Sequence, residues 1–376
     1  MNNDWKEEAW GFIQEKTNLN NDRIGVNFPH VSKNKHYDLE KPQWWTAGFW
    51  PGILWYVYLA NKNQKLKITA EECEKEMDYL LTDSELIDHD MGFMWTLSSL
   101  ANYKITGNKE SRRRALLAAN LLAGRFNIKG NYIRAWNDWI GKDDNSGVAI
   151  IDCMMNLALL YWASEETGDP RFKHVAESHG KMVLENFIRE DGSVQHMVVF
   201  DSETGEVVEK LGGQGFAPNS AWARGCAWAI YGLAISYKYT KNIEFLNAAK
   251  KTANYFIANM KDKKCPVWDF RVPEDGERKY RYPDSSAGAI AACGLLLISE
   301  EVSELEVSLY KDAGENILKD LYYECATKED MEEEGLLYHA TGHFPEQKNL
   351  DIPIIYGDYF FTEGIARLND EKLLFW

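Results

Sequence analysis

The chain has 376 residues, of which 45% are hydrophobic, and a formal net charge of −16. That excess of acid excludes nucleic acid and anionic membrane surfaces as partners, while a local Arg could still receive a small anionic substrate. The length allows one large domain or two ordinary ones. Aromatic residues make up 13%, with 14 Trp. Trp needs both packing and a partner for its N–H, so part of this surplus is expected to stack on a ligand, sugar rings being a common one, and part to fill the core.

Met1 to Glu8 offers neither a basic leader nor an apolar one. No apolar run reaches the roughly 18 residues of a membrane span, so the expectation is a soluble, cytoplasmic protein. The six cysteines, Cys73, Cys153, Cys226, Cys265, Cys293 and Cys325, form no Cys-x-x-Cys pair. Cys153, Cys226 and Cys293 lie in apolar helical runs, which points to core thiols in a reducing compartment.

Taken in order, residues 4–18 predict an opening amphipathic helix, and residues 19–44 a polar loop. From there two kinds of helix alternate. Apolar helices are expected over 45–61, 90–106, 146–167, 220–240, 284–299 and 356–368, and amphipathic ones over 69–81, 109–126, 170–187, 243–260 and 306–323. With the opening helix this makes six of each kind. The repeat is loose, 44 residues from Gly48 to Gly92 but 62 from Asp90 to Asp152, whereas solenoids keep a tighter period. Long loops between hairpins predict a closed ring instead, an all-α (α/α)6 toroid forming one domain over 1–376. Short strand-like pieces at Tyr132 to Trp136 and Val194 to Phe200 sit in the loops.

Closure would gather the starts of six inner helices around one mouth. Those starts carry Trp45, His89 with Asp90, Asp152, Trp222 with Arg224, Asp284 and Asp358. Asp152 is set among Ile150, Ile151, Cys153 and Met154. A buried carboxyl there is hydrogen-bonded, paired or protonated, and a protonated one in an apolar wall serves as a general acid. Asp90 begins the preceding inner helix, and two carboxyls in different surroundings can divide acid and base roles. Either Asp could instead cap its helix, the reading preferred for Asp284 and Asp358. Arg224, in an apolar helix, must be paired with a substrate carboxylate or with an internal Asp. The His residues are scattered without metal-ligand spacing, and no nucleotide-binding or serine-hydrolase motif occurs, so neither metal nor cofactor is expected.

Together, Trp45-Thr-Ala-Gly48-Phe-Trp50-Pro-Gly52-Ile-Leu-Trp55, His89-Asp90-Met-Gly92-Phe93, Ile150-Ile-Asp152-Cys-Met-Met-Asn156 and Ala223-Arg224-Gly225-x-Ala227-Trp228 resemble the unsaturated glucuronyl hydrolases of glycoside hydrolase family 88. Tyr282-x-Asp284-Ser-Ser-Ala287 and Gly357-Asp358-Tyr359 extend the likeness from Pro29 to the end of the chain. The resemblance implies the same toroid. It also implies removal of a 4,5-unsaturated uronic acid from the non-reducing end of lyase-generated oligosaccharides, by hydration of the C4=C5 enol ether. It makes Asp152 the general acid/base and Asp90 its supporting carboxylate, with Trp45, His89, Trp136, His196, Gln214, Arg224 and Trp228 against substrate. Members that prefer sulfated disaccharides carry a Ser-x-x-Ser-x-Lys-like site in the C-terminal loop; here the loop reads His339-Ala-Thr-Gly342-His343-Phe-Pro345, with Lys348 beyond. A sister activity, unsaturated rhamnogalacturonyl hydrolysis of pectin fragments, would use the same two Asp. A non-enzymatic carbohydrate-binding scaffold would have no use for carboxylates at its mouth.

Overall fold

Residues 4–138, 144–261, 263–273 and 280–376 are described by the structure, a computed structural model. Residues 1–3, 139–143, 262 and 274–279, within the single domain expected over 1–376, lie outside the described residues. The amphipathic helices are α1 (Asp4–Ile24), α3 (Gln64–Glu76), α6 (Lys109–Ala123), α8 (Pro170–Asn186), α10 (Ile243–Met260) and α12 (Val307–Glu324). The apolar ones are α2 (Phe49–Asn61), the pair α4 (Met91–Trp95) and α5 (Ala101–Thr106), α7 (Cys153–Thr167), α9 (Ala223–Thr240), α11 (Ser285–Glu301) and α13 (Ile355–Leu368). A π-helical turn, Thr96–Leu100, joins α4 to α5.

The apolar helices close a ring. Each packs on the next, α4 on α7, α7 on α9, α9 on α11, α11 on α13, and α13 back on α2. The amphipathic helices pack outside, as a helix with one apolar stripe must. This is the (α/α)6 toroid.

The two ends of the toroid differ, and local sequence explains how. At one end an inner helix stops at a residue in the left-handed region, Lys62, Gly107, Gly168 or Lys241. The next residue, Asn63, Asn108, Asp169 or Asn242, caps the outer helix with its side-chain oxygen. A left-handed stop followed at once by an Asn or Asp cap makes a turn too short to hold a site. The long connections all lie at the opposite end, where outer helices hand over to inner ones.

Among the described residues those connections hold three small antiparallel sheets: β1 (Phe28–Lys33) with β2 (His36–Glu40), β3 (Phe126–Asn127) with β4 (Tyr132–Ile133), and β5 (Val148–Ile150), β6 (Met197–Phe200) and β7 (Val207–Leu211) in that order. The strand-like pieces expected at 132–136 and 194–200 are present as β4 and β6, each shorter than expected. The helix expected from residue 146 starts only at Cys153, because Val148–Ile150 pairs with β6, Ile150 facing Met197. A short apolar run fits either element, and the partner strand decides.

Much of the Trp surplus is core: besides Trp5, Trp162 and Trp222, which are buried, Trp50, Trp55, Trp95, Trp228, Trp268 and Trp376 are all but fully buried. Asp284 caps α11 as expected, accepting the Ala287 N–H at 3.4 Å. Asp358 does not cap α13. Its carboxyl accepts the Leu336 and Leu337 N–H groups at 2.7 and 3.0 Å and the Tyr37 hydroxyl, so it ties two loops to the ring. Burial pushes Asp358 up to about 7. All six cysteines carry free thiols. No helix among the described residues is long and apolar enough to cross a membrane.

Candidate active site

A cleft of about 700 Å³ opens among the long connections. Trp44, Trp45, Trp136 and Tyr356 supply aromatic wall, and Asp90, Asp152, Gln214 and Arg224 supply polar groups. A concave, mostly apolar site with a few converging polar groups is what a small organic ligand needs.

Asp90 and Asp152 stand at the N-cap positions of α4 and α7, yet neither side chain caps its helix. The capping alternative is therefore removed for both, and both carboxyls line the cleft. Asp90 is held by Asn156, one turn into α7, whose Nδ2 donates to Oδ1 at 3.2 Å. The other end of Asn156 accepts the Phe93 N–H at 2.7 Å, pinning α4 to α7. Gly92 permits that approach, since a Cβ there would lie 2.4 Å from the Asn156 backbone.

Burial pushes the Asp90 carboxyl up to about 7, with the charge of Asp152 as the next cause, opposed by the Asn156 hydrogen bond. Burial thus acts on Asp90, the carboxyl expected to support Asp152. Asp88 also lines the cleft. Its Oδ1 accepts the Asp90 N–H at 2.9 Å, and burial, then Asp90, push it up to about 6.

Two His stand behind the carboxyls. His89 is wholly buried, with Nε2 3.5 Å from Asp90 Oδ1. Burial lowers it to about 4, so at neutral pH the ring is uncharged. His196 leads into β6, and its carbonyl accepts the Ile151 N–H at 3.0 Å, which sets the ring beside Asp152. Its Nδ1 accepts the Gln214 N–H at 2.8 Å. A ring nitrogen that accepts carries no proton, so the hydrogen is on Nε2, facing Asp152 Oδ2 at 3.5 Å. Both ring nitrogens of His89, Nε2 of His196 and Oδ2 of Asp152 are buried without a hydrogen-bond partner among the described residues. Such orphans are rare unless a ligand or water completes them.

Arg224 is committed inside the protein. Nη1 donates to Asp284 Oδ2 at 2.7 Å and to the Thr341 carbonyl at 2.6 Å. Nη2 donates to Gln214 Oε1 at 2.7 Å and to the Gly342 carbonyl at 2.6 Å. The guanidinium also lies over the Trp222 and Tyr356 rings. Of the two partners left open above, the internal Asp holds it.

Trp45, Trp136, Gln214 and Arg224 therefore line the cleft, and His89 and His196 back its carboxyls. Trp228 lies outside the lining, 1% exposed and packed against Phe93 at a ring separation of 5.2 Å, with Nε1 unpartnered among the described residues. Sequence reasoning missed Asn156, Asp88 and Tyr356. Asn156 had a signal, four residues after Asp152 on the same helix face. Among the described residues no group of three or more His, Cys, Asp or Glu is placed to hold a metal ion.

Comparison with known proteins places this architecture. The chain is 35% identical over 98% of its length, and 98% of the relative's, to an unsaturated glucuronyl hydrolase of Bacillus sp. strain GL1. It is 34% identical to an unsaturated chondroitin disaccharide hydrolase of Streptococcus pyogenes serotype M1, covering 98% of this chain and 92% of the relative. The crystal structure of the unsaturated glucuronyl hydrolase of Bacillus sp. GL1, described as responsible for glycosaminoglycan degradation, superposes with a TM-score of 0.92 at 35% identity over 96% of each chain. A family model for Glycosyl Hydrolase Family 88 matches residues 20–303. With likeness running the length of the chain, this protein belongs to glycoside hydrolase family 88.

Proposed function

We propose that the protein removes a 4,5-unsaturated uronic acid from the non-reducing end of glycosaminoglycan-type oligosaccharides by hydrating the C4=C5 enol ether. The observation that carries this reading is the pair Asp90 and Asp152, at N-cap positions without capping, in an aromatic cleft beside unpartnered His nitrogens. The names of the full-length relatives support the substrate class.

In this reading Asp152 delivers a proton to C4, and positive charge develops at C5 and the ring oxygen. Two interacting carboxyls titrate as a unit. One proton per pair suits the step, because one member gives it while the other, negatively charged, stabilises the cation. Water then adds its oxygen at C5 and returns a proton to the pair, leaving a hemiketal. The hemiketal opens by breaking the bond from C5 to the ring oxygen, giving a C5 ketone and a hemiacetal at C1. Collapse of that hemiacetal releases the neighbouring sugar. One water is consumed, and C1 is never attacked directly, so the separation rule for inverting and retaining carboxylates has no bearing. His196 presents Nε2–H to Asp152 and fixes its orientation, and Trp45, Trp136 and Tyr356 hold the sugar rings.

The charge around the mouth favours unsulfated substrates. Glu85, Asp88, Asp138 and Glu346 line it, and the one Lys among its lining residues, Lys348, is held by Glu346 at 2.6 Å. Among the described residues, a sulfate there would meet a carboxylate-rich wall whose Lys and Arg are already engaged. Six free thiols support a reducing compartment such as the cytoplasm.

The test is loss of the ultraviolet band of the conjugated C=C–carboxylate. Unsaturated disaccharides from hyaluronan, chondroitin and 6-sulfated chondroitin, and pectin-derived fragments, are compared with Asp152→Asn run alongside. The expected result is turnover by the wild type and a loss of roughly 10²- to 10⁴-fold in the variant. An unchanged band on every substrate, from folded protein, sinks the reading. Full activity in Asp152→Asn moves the acid elsewhere.

A further inference from the structure

The loop from Leu211 to Ala221 touches the reacting centre at its tip alone. Gln214 donates its N–H to His196, and its side-chain oxygen accepts from Arg224. Gly213 lies against the His196 ring at φ +57°, where a Cβ would fall 1.9 Å from Nδ1. No regular element carries this loop, so something else must hold its backbone.

Asp269 does so. It is fully buried, and it lies outside the cleft lining. Oδ2 accepts the Phe216 N–H at 3.0 Å, and Oδ1 accepts the Ala221 N–H at 3.1 Å and the Arg271 N–H at 2.9 Å. The loop carbonyls are met by two Arg. Arg189 donates to Ser220 and Pro218, and Arg271 donates to Asn219. A carboxylate is acceptor-only and has several lone-pair positions, which is what a cluster of converging backbone N–H groups requires.

We infer that Asp269 is a positioning residue for the reaction, holding the 211–221 loop so that the Gln214 N–H keeps His196 in the tautomer that turns Nε2–H toward Asp152. This rests on the proposed roles of Asp152 and His196. It predicts a chain of dependence from Asp269 to the loop tip, to the ring, to the carboxyl. Replacing one Asp269 oxygen by an amide puts a donor against a backbone donor and loosens the tip without altering any group that meets substrate.

The experiment uses the full chain labelled with ¹⁵N-histidine, with the His196 resonances assigned by their loss in His196→Gln. In the wild type His196 should show a bare Nδ1 and a protonated Nε2. In Asp269→Asn the ring should sample both tautomers, and kcat should fall about ten- to a hundredfold, as expected when reacting groups are misplaced by an ångström or less, with KM changing less. Gly213→Ala pushes the tip away without touching Asp269. It should give the same pair of changes, and it carries the test if Asp269→Asn does not fold. A wild-type tautomer accompanied by lost turnover overturns the inference, because Asp269 would then act on stability alone. Mixed tautomers with intact turnover overturn it as well. Asp152→Asn assayed in parallel separates the two levels: if it is inactive, only the role of Asp269 has failed. If Asp152→Asn is fully active, the reading of the catalytic pair falls and the inference falls with it.

Discussion

Nε2 of His196 stands 3.5 Å from Oδ2 of Asp152, and neither atom has a hydrogen-bond partner among the described residues. The distance is beyond a well-formed N–H···O bond, while contacts of this kind in ligand-free sites commonly tighten when substrate arrives. The same arrangement recurs one helix earlier, with His89 Nε2 3.5 Å from Asp90 Oδ1. Two neutral imidazoles behind two carboxyls add no charge to the pair. Burial, then the charge of Asp152, raise the Asp90 carboxyl.

That gives a signed pH dependence. Asp90 lies near 7 in the folded chain and near 3.8 when exposed. Its contribution to stability is therefore complete below about pH 4 and is lost as pH rises through 7. Asp90→Asn lacks that term. The stability difference between variant and wild type should move in the variant's favour from pH 4 to 7, by roughly 1.4 kcal/mol per unit at the steepest, and level off above. Urea titrations at pH 5, 6, 7 and 8 would show it, and a difference independent of pH would mean that Asp90 titrates as an ordinary surface carboxyl. Turnover should fall over the same rise, as the pair loses its proton.

Asn156→Ala removes the bond that opposes this shift. Asp90 should then hold its proton to still higher pH, moving the basic limb of the rate profile upward. The Phe93 N–H loses its acceptor in a buried place, at a cost of about 1–3 kcal/mol. A stable variant with an unmoved basic limb would show that Asn156 serves packing alone.

How far these features could be read beforehand depends on what each residue needs in order to be seen. The ring was legible because the six apolar runs are each long enough to fix a helix and alternate with amphipathic ones. Strand β5 was not, since Val148–Ile150 is three apolar residues whose identity depends on a partner 51 positions away, Val199 against Val148. Asp90 and Asp152 were visible as carboxyls at helix starts, but a capping Asp and a functional one look alike until the side chain is seen to turn away. Trp228 and Tyr356 show the same ambiguity among aromatics, one expected against substrate and buried, the other unmarked and lining the cleft. Asp269 gave no signal, because what it binds is backbone.

Glu346 should govern tolerance for sulfate. It pairs with Lys348 at 2.6 Å and lies 3.7 Å from His343, half exposed at the cleft. Glu346→Gln removes a negative charge and frees the Lys348 ammonium. The ratio of kcat/KM for a 6-sulfated over an unsulfated disaccharide should rise roughly two- to fivefold, the scale of a solvent-exposed ion pair, and shrink again in high salt. An unchanged ratio would place the sulfate away from this rim.

Arg224 separates a structural tie from a ligand for substrate. Its two terminal nitrogens make four hydrogen bonds within the protein, one of them to the fully buried Asp284. Arg224→Ala strands that carboxylate, and losing one partner of a buried pair costs about 3–5 kcal/mol. It also frees the Gln214 side chain and the 341–342 backbone, so stability and turnover should fall together. Arg224→Lys keeps the charge but cannot reproduce the fork, and should recover only part of either. Were the guanidinium chiefly a receptor for the uronate carboxylate, Arg224→Ala would raise KM while the urea midpoint stayed in place. A denaturation curve beside a saturation curve decides between the two.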